Sequence, residues 1–304
     1  RVFALLGAVG TNTSLAALPV AEEENVPFIA PSSGSLELRK PFKRNVLNLR
    51  PSYFDEAMAL FQKLAEEGFQ RISLFVCDSG EDTPDVDLLV DKADIILGNY
   101  GNLEVHSTAV YDGGGSEGGG ASQKFGVLYS AESENPDAVV VACHAEGLSQ
   151  VLNASLGAFP DIARFGVISA FLASEEEFKQ VLPADVLPKI LMASPLPSLA
   201  STLVKNDSLV EDYKRALFSF DVNLAPDPVS FEGYIAGKFS IAVLLDQQPG
   251  TLLAPGVSLE DSREGFLRTV YDQQSYVISG LQLGSFYDEG ACDSAQLLAA
   301  YGDR

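Results

Sequence analysis

Val2-Phe3-Ala4-Leu5-Leu6-Gly7-Ala8-Val9-Gly10-Thr11-Asn12-Thr13 is the stretch on which the reading of this chain turns. A short run, apolar on both faces, enters a glycine-containing turn and then hydroxyl and amide residues that open a helix-period segment. That is the signature of a fully buried strand of a parallel sheet delivered into a helix. The first backbone N–H groups and the positive end of the helix dipole, together with the side chains of Thr11, Asn12 and Thr13, suit a carboxylate. The next strand, Pro27 to Ala30, ends in the same manner with Pro31-Ser32-Ser33-Gly34-Ser35. Two polar strand ends side by side form one half of a binding site. The same residue types also serve as plain helix caps, and the pattern by itself leaves both readings open.

Working outward, the helix after the first turn is expected to be interrupted by Pro19, and a further strand is expected over Asn45 to Leu49. From Ile72 onward, β-rich apolar runs alternate with helix-period segments, the pattern of stacked βα units around a parallel sheet. Strands are predicted at Ile72 to Cys77, Leu103 to Tyr111, Ala138 to Cys143, Phe165 to Ala170 and Ile190 to Ala193. One intervening helix is predicted from a Thr83 cap and Pro84 to about Gly98, and another carries Leu148, Val151, Leu152 and Leu156. After Ser194 the pattern turns helical. Leu209, Val210, Tyr213, Ala216, Leu217 and Phe220 follow a Ser208-to-Glu211 capping box, with two more helices around Phe231 to Leu245 and Leu259 to Tyr271. The glycine-rich stretch Gly113 to Gly120 reads as a flexible surface loop.

Composition bounds the function. A chain of 304 residues with 46% hydrophobic content fills cores for two compact units. Its 42 acidic against 20 basic residues give a net charge of −22, which repels phosphate backbones and anionic membrane surfaces, so no nucleic-acid partner is expected. No apolar stretch reaches the roughly 18 residues of a membrane span, so no direct membrane insertion is expected. The three cysteines, Cys77, Cys143 and Cys292, have no Cys-x-x-Cys spacing. Cys77 and Cys143 close apolar runs and read as buried or pocket-lining thiols, although one pair could still form. Arg1 to Leu6 reads as an interior strand and not as a signal peptide, as though the sequence were trimmed at its start.

Gly113, Gly115 and Gly118 satisfy G-x-G-x-x-G formally, but no helix opens at once and a dinucleotide site is not supported. There is no phosphate-binding lysine loop, zinc helix or nucleophile elbow, and no nucleophile lies beside a base. No catalytic residue, metal ligand or cofactor is therefore expected. Of the two histidines, His106 sits inside a strand-like run, whereas His144 follows a strand at its carboxyl end, where doubly wound folds place ligands.

At these residues the chain resembles the type 1 periplasmic binding proteins, specifically the leucine/isoleucine/valine-binding branch. The resemblance rests on Val2 to Pro19, on Glu24-Asn-Val-Pro-Phe-Ile-Ala-Pro-Ser-Ser-Gly34, on Asn48-Leu-Arg50 with Tyr53 and Asp55-Glu56, on Asn135 to Val141, and on Phe231-Glu-Gly-Tyr-Ile-Ala-Gly237. It implies an α/β fold of two doubly wound, Rossmann-like lobes joined by three crossovers, with a ligand in the cleft between them. Lobe one is expected at 1–50 and 195–272 and lobe two at 51–194 and 273–304, with crossovers at Leu49 to Ser52, Ala193 to Leu196 and Gln273 to Val277. A strand, helix and strand that the family places earlier are not in this sequence.

Carried over by position, Thr11, Asn12 and Thr13 would meet a ligand carboxylate, and Ser33, Gly34 and Ser35, with Ser32 beside them, its amino group or adjacent polar atoms. Asp78, His144 and Phe171 would supply the opposite wall. An aromatic residue often found after the strand ending at Cys77 falls near Glu81, and the acid that grips an amino group should lie near Ala170, where this chain reads Ser169-Ala170-Phe171. The function implied is an extracytoplasmic (periplasmic or extracellular) solute-binding protein, not an enzyme, serving an ABC-type membrane transporter. The alternative is the ligand-binding sensor ectodomain of a signalling receptor. With no acid where an ammonium needs one, the expected small-molecule ligand is a carboxylate with an aromatic or amide portion, not leucine or valine bound tightly.

Overall fold

The computed structural model describes residues 2–78, 103–112, 136–143, 145–159, 161–168, 186–197, 199, 208–247, 256–284 and 286. The predicted helix from Thr83, the Gly113 to Gly120 loop, Ser169 to Phe171 and His144 lie outside these residues. In chain order, β1 (Leu5–Leu6), α1 (Thr11–Glu23), β2 (Phe28–Ile29) and β3 (Val46–Leu47) come first. The three strands form one parallel sheet in the order β1-β2-β3, with Leu5 opposite Phe28 and Phe28 opposite Val46. Helix α1 is continuous through Pro19, contrary to the expected interruption. Leu18 and Ala21, on either side of the proline, are buried in one small core with Phe28, Leu38 and Val46, and this packing offsets the lost hydrogen bond while the ring stays exposed.

Next come α2 (Tyr53–Glu66), β4 (Arg71–Asp78), β5 (Glu104–Asp112), β6 (Ala138–Ala142), α3 (Ala145–Ala158), β7 (Arg164–Val167) and β8 (Ile190–Met192). Helix α2 starts at a true capping box, in which Ser52 Oγ accepts from the Asp55 N–H at 3.1 Å and Asp55 accepts from the Ser52 N–H at 2.9 Å. The five strands make a parallel sheet in the order β5-β4-β6-β7-β8. Alternate side chains build two cores. Ile72, Leu74, Val76, Ala138, Val140 and Ala142 meet Ala57, Leu60, Phe61 and Leu64 of α2, while Phe75, Val139, Val141 and Cys143 meet Leu148, Val151 and Leu152 of α3. Ahead of β6, Asp137 accepts from the N–H groups of Gln70 and Arg71 and from Arg71 Nη2, fixing where β4 and β6 begin. Burial pushes its carboxyl up, but the Arg71 hydrogen bonds and charge and the Gln70 N–H outweigh this and hold it below its usual range.

The chain ends, among the described residues, with α4 (Ser208–Phe220), α5 (Pro228–Asp246), α6 (Leu259–Gln273) and an antiparallel pair, β9 (Tyr276–Ile278) and β10 (Leu281–Leu283). Ser208 does not cap its helix in the expected box; its hydroxyl donates to the Ser279 carbonyl in the β9–β10 turn. The described residues divide into two compact units, one formed by those of 2–51 and 196–286 and the other by those of 52–195. Among the described residues, the chain after the expected third crossover at Gln273 stays in the first unit. Tyr276, Ile278, Leu283 and Phe286 are buried in the same core as Leu47, Phe231, Phe239 and Phe266, so 276–286 belongs to the first unit. Phe239 holds that end, with ring centroids 5.2 Å from Tyr276 and 5.6 Å from Phe286.

Candidate functional site

In the first unit the parallel pairing of β1 with β2 puts both strands' carboxyl ends on one edge of the sheet. Pairing continues past the strands through a bridge between Val9 and Ser32, with the Ser32 N–H donating to Ala8 O at 2.8 Å and the Gly10 N–H to Ser32 O at 3.2 Å. The two polar turns are thereby held side by side. Thr11 Oγ1 and Ser33 Oγ lie 2.7 Å apart, a buried hydroxyl–hydroxyl bond across 22 positions of sequence. Ser33 Oγ also accepts from the Ser35 N–H at 3.1 Å. Gly10 caps α1 at φ 96° without a side chain, and the first turn carries no acidic residue. Asn12 and Thr13 are exposed, whereas Ser32 to Ser35 are buried. The positive end of α1 is thus met by hydroxyls, with no carboxylate from its own first turn to neutralise it, an arrangement matched to a small anion.

Ser32 has a different task from its neighbours. Its hydroxyl donates to Glu232 Oε2 at 2.7 Å, and the same oxygen lies 3.6 Å from Arg50 Nη1, with Arg50 only 2% exposed. Arg39, following the 3-10 turn Leu36–Leu38, lies beneath the serine loop. Its guanidinium donates to Ser35 O at 2.6 Å and to Arg50 O at 2.9 Å, with longer contacts of 3.3 Å to Ser33 O and Pro51 O. One buried cation therefore ties the serine loop to the last residues of the unit's first segment. Arg50 and Glu232 lie within the stretches that carry the resemblance but take no site role from it, and Arg39 is not singled out by the sequence. Their signal was a charge set among apolar residues, as in Leu47-Asn-Leu-Arg50 and Phe231-Glu232, but partners 182 and 200 positions away cannot be read from spacing.

The second unit places Asp78 at the carboxyl end of β4, in register with Asp112 of β5. The strand order reverses direction at β4 and β6, so the fold's topological switch point lies at their carboxyl ends. Cys143, 3% exposed, follows β6 immediately. It is not the thiol expected from its apolar run; it is disulfide-bonded, a link that a strand read singly cannot reveal because it depends on what lies alongside. Among the described residues no three His, Cys, Asp or Glu side chains come together as a metal cage. No helix there is long and apolar enough to cross a membrane.

No family model matches the sequence, and no curated protein matches it either. Solved structures do. A possible leucine/isoleucine/valine-binding protein from Rhodopirellula baltica SH 1 superposes with a TM-score of 0.71 at 20% identity, over 99% of this chain and 78% of that one. The chain has the type 1 periplasmic binding protein fold. An extracellular ligand-binding receptor from Verminephrobacter eiseniae matches the same fold with a TM-score of 0.74 at 13% identity, over 98% of this chain and 77% of that one. So does an ABC-transporter solute-binding protein from R. palustris in complex with benzoate, with a TM-score of 0.64 at 13% identity, over 97% and 76%. Within the type 1 periplasmic binding fold, the α1 turn and the serine loop are the carboxyl ends of adjacent parallel strands, the edge at which open α/β sheets bind ligands.

Proposed function

We propose that this chain is an extracytoplasmic solute-binding protein that captures a small carboxylate-bearing metabolite and presents it to an ABC-type importer. The observation that carries the reading is the Thr11–Ser33 hydroxyl pair at the acid-free positive end of α1. One hydroxyl proton of the pair lies between the two oxygens, so the pair offers a carboxylate at most one donor, set beside a favourable dipole, and a net charge of −22 makes such local compensation necessary for any anion. The solved relatives in fold include substrate-binding proteins of ABC transporters, one of them holding benzoate. The disulfide at Cys143 fits an oxidising, extracytoplasmic compartment. On this reading Thr11, Asn12, Thr13, Ser33, Gly34 and Ser35 are the ligand-binding residues of the first unit, and Asp78, His144 and Phe171 are those proposed for the second. Phe171, with no acid beside it in Ser169-Ala170-Phe171, favours an aromatic or amide portion over a bare ammonium.

The test is calorimetric titration with benzoate, L-phenylalanine, L-leucine and L-valine. An aromatic carboxylate is expected to bind at least tenfold more tightly than leucine. Thr11→Val combined with Ser33→Ala is expected to weaken it a further ten- to hundredfold, one lost hydrogen bond to a charged group. Submicromolar leucine binding that survives Asp78→Ala and Glu81→Ala would overturn the assignment of ligand contacts in the second unit. The receptor-ectodomain alternative keeps the same binding results and is decided by whether the full-length protein restores uptake in a transporter background lacking its own solute-binding protein.

A further inference from the structure

We infer that Cys143 is cross-linked to Cys77, so that a disulfide joins the carboxyl ends of β4 and β6 at the topological switch point of the second unit. Cys143 is disulfide-bonded, and the sequence offers two partners, Cys77 and Cys292. Register selects the first. Strands β4 and β6 pair in parallel from Ile72 opposite Ala138 to Val76 opposite Ala142, and the next step sets position 77 beside position 143. Adjacent strands run about 4.7–4.9 Å apart, within the roughly 4.4–6.8 Å between α-carbons that a disulfide spans. The face agrees as well. Phe75, Val141 and Cys143 share one core, Val76 and Ala142 the opposite one, and the two-residue alternation of a strand assigns position 77 to the side of Phe75 and Cys143.

The bond forms by exchange with a disulfide donor, of the class of disulfide carrier proteins found in oxidising compartments. One cysteine thiolate attacks a donor sulfur, giving a mixed disulfide and expelling the donor's other sulfur as a thiolate. The second cysteine thiolate then attacks the bound cysteine sulfur and expels the remaining donor sulfur. Two electrons and two protons leave the protein, and the donor departs as a dithiol. Asp78 and His144 each follow one of these cysteines directly. The cross-link fixes the separation of the two strand ends from which both residues emerge, a consequence that rests on the solute-binding reading although the pairing itself does not.

The pairing is tested on the protein purified without reductant, alkylated with N-ethylmaleimide in denaturant, digested and mapped by mass spectrometry. The expected result is a linked peptide pair carrying Cys77 and Cys143, with the label on Cys292. A label on Cys77, or a Cys143–Cys292 pair, overturns the inference. The mechanical role is read by amide exchange at Val76, Val141 and Ala142. Reduction, or Cys77→Ala with Cys143→Ala, should speed exchange at least tenfold and lower Tm by roughly 10 °C, while Cys292→Ala should change neither. Unchanged exchange after reduction overturns the claim that the bond holds the strand ends. Benzoate titration separates the two readings. Binding in the oxidised protein that weakens tenfold or more on reduction supports both, whereas a mapped Cys77–Cys143 pair in a protein that binds no carboxylate upholds the cross-link and removes the solute-binding reading.

Discussion

Replacing Arg39 by alanine should loosen the serine loop and the first unit together. Arg39 is 6% exposed, and its guanidinium makes two short bonds, 2.6 Å to Ser35 O and 2.9 Å to Arg50 O, beside three longer contacts at 3.3 Å that are weaker. A hydrogen bond to a charged group contributes about 1.5–3 kcal/mol. Two of them give roughly 3–6 kcal/mol, and partial hydration of the freed carbonyls trims the expectation to about 3–5 kcal/mol. Lysine keeps the charge but not the fork, so its ammonium reaches only part of the set and Arg39→Lys should still lose about 1.5–3 kcal/mol. The chain has no tryptophan, so urea unfolding is followed by far-UV circular dichroism. Exchange at the Phe28 and Ala30 amides, which donate to Asn45 O and Leu47 O, isolates the first unit, and exchange at Val76 reports on the second. Faster exchange at Phe28 and Ala30 with Val76 unaffected is the expected pattern. An alanine variant within 1 kcal/mol of the parent, or a lysine variant equal to it, would refute the bridging role.

Glu232→Gln removes the carboxylate from a buried Arg50 while leaving an acceptor for Ser32, and should cost about 2–4 kcal/mol; the paired change Arg50→Met with Glu232→Leu should cost less than Glu232→Gln alone, both read by urea unfolding. Gly284 has φ +107°, and a Cβ there would lie 2.4 Å from Gln274 O. Gly284→Ala should therefore destabilise the first unit by roughly 2–4 kcal/mol, seen as loss of exchange protection at Phe286, whose N–H donates to that same oxygen at 2.7 Å. Asp137, held below its usual range in the folded protein, contributes stability above the ordinary carboxylate pKa that is lost as pH falls through the lower folded value. Asp137→Asn should accordingly cost about 1 kcal/mol or less at pH 7, since the pair is partly exposed, and nothing once pH is well below 3.8; a constant difference across an acid titration of Tm would contradict this.

The parts of the fold legible in the sequence were those written in local periodicity. Ala138 to Ala142 is apolar at every position because both faces of the sheet are covered, and that run reads as a parallel strand without further help. The turns at Thr11 and Ser33 were legible for the same reason: each directly follows its strand. What stayed hidden depends on neighbours that sequence spacing does not encode. Ser32 reads like Ser33, yet one serves a carboxylate in α5 and the other a threonine in α1. Pro19 breaks a helix by its own chemistry, and only the packing of Leu18 and Ala21 on β2 and β3 overrides it. The tail after Gln273 was assigned by analogy with where such chains usually cross over, whereas Tyr276, Ile278 and Phe286 follow the apolar surface open to them on α5 and α6.

That tail sets an order of events during synthesis. Both cores of the second unit are built, among the described residues, from positions within 52–195, so those cores can close before the rest of the chain has been made. The first unit cannot. One face of its opening sheet waits, with Ile29, Leu47 and Leu49 unsheltered, for α5 and α6, and the last of the described residues to join that core is Phe286. Between those two moments the nascent chain carries a closed unit flanked by an open one, whose apolar residues are then exposed to misassembly.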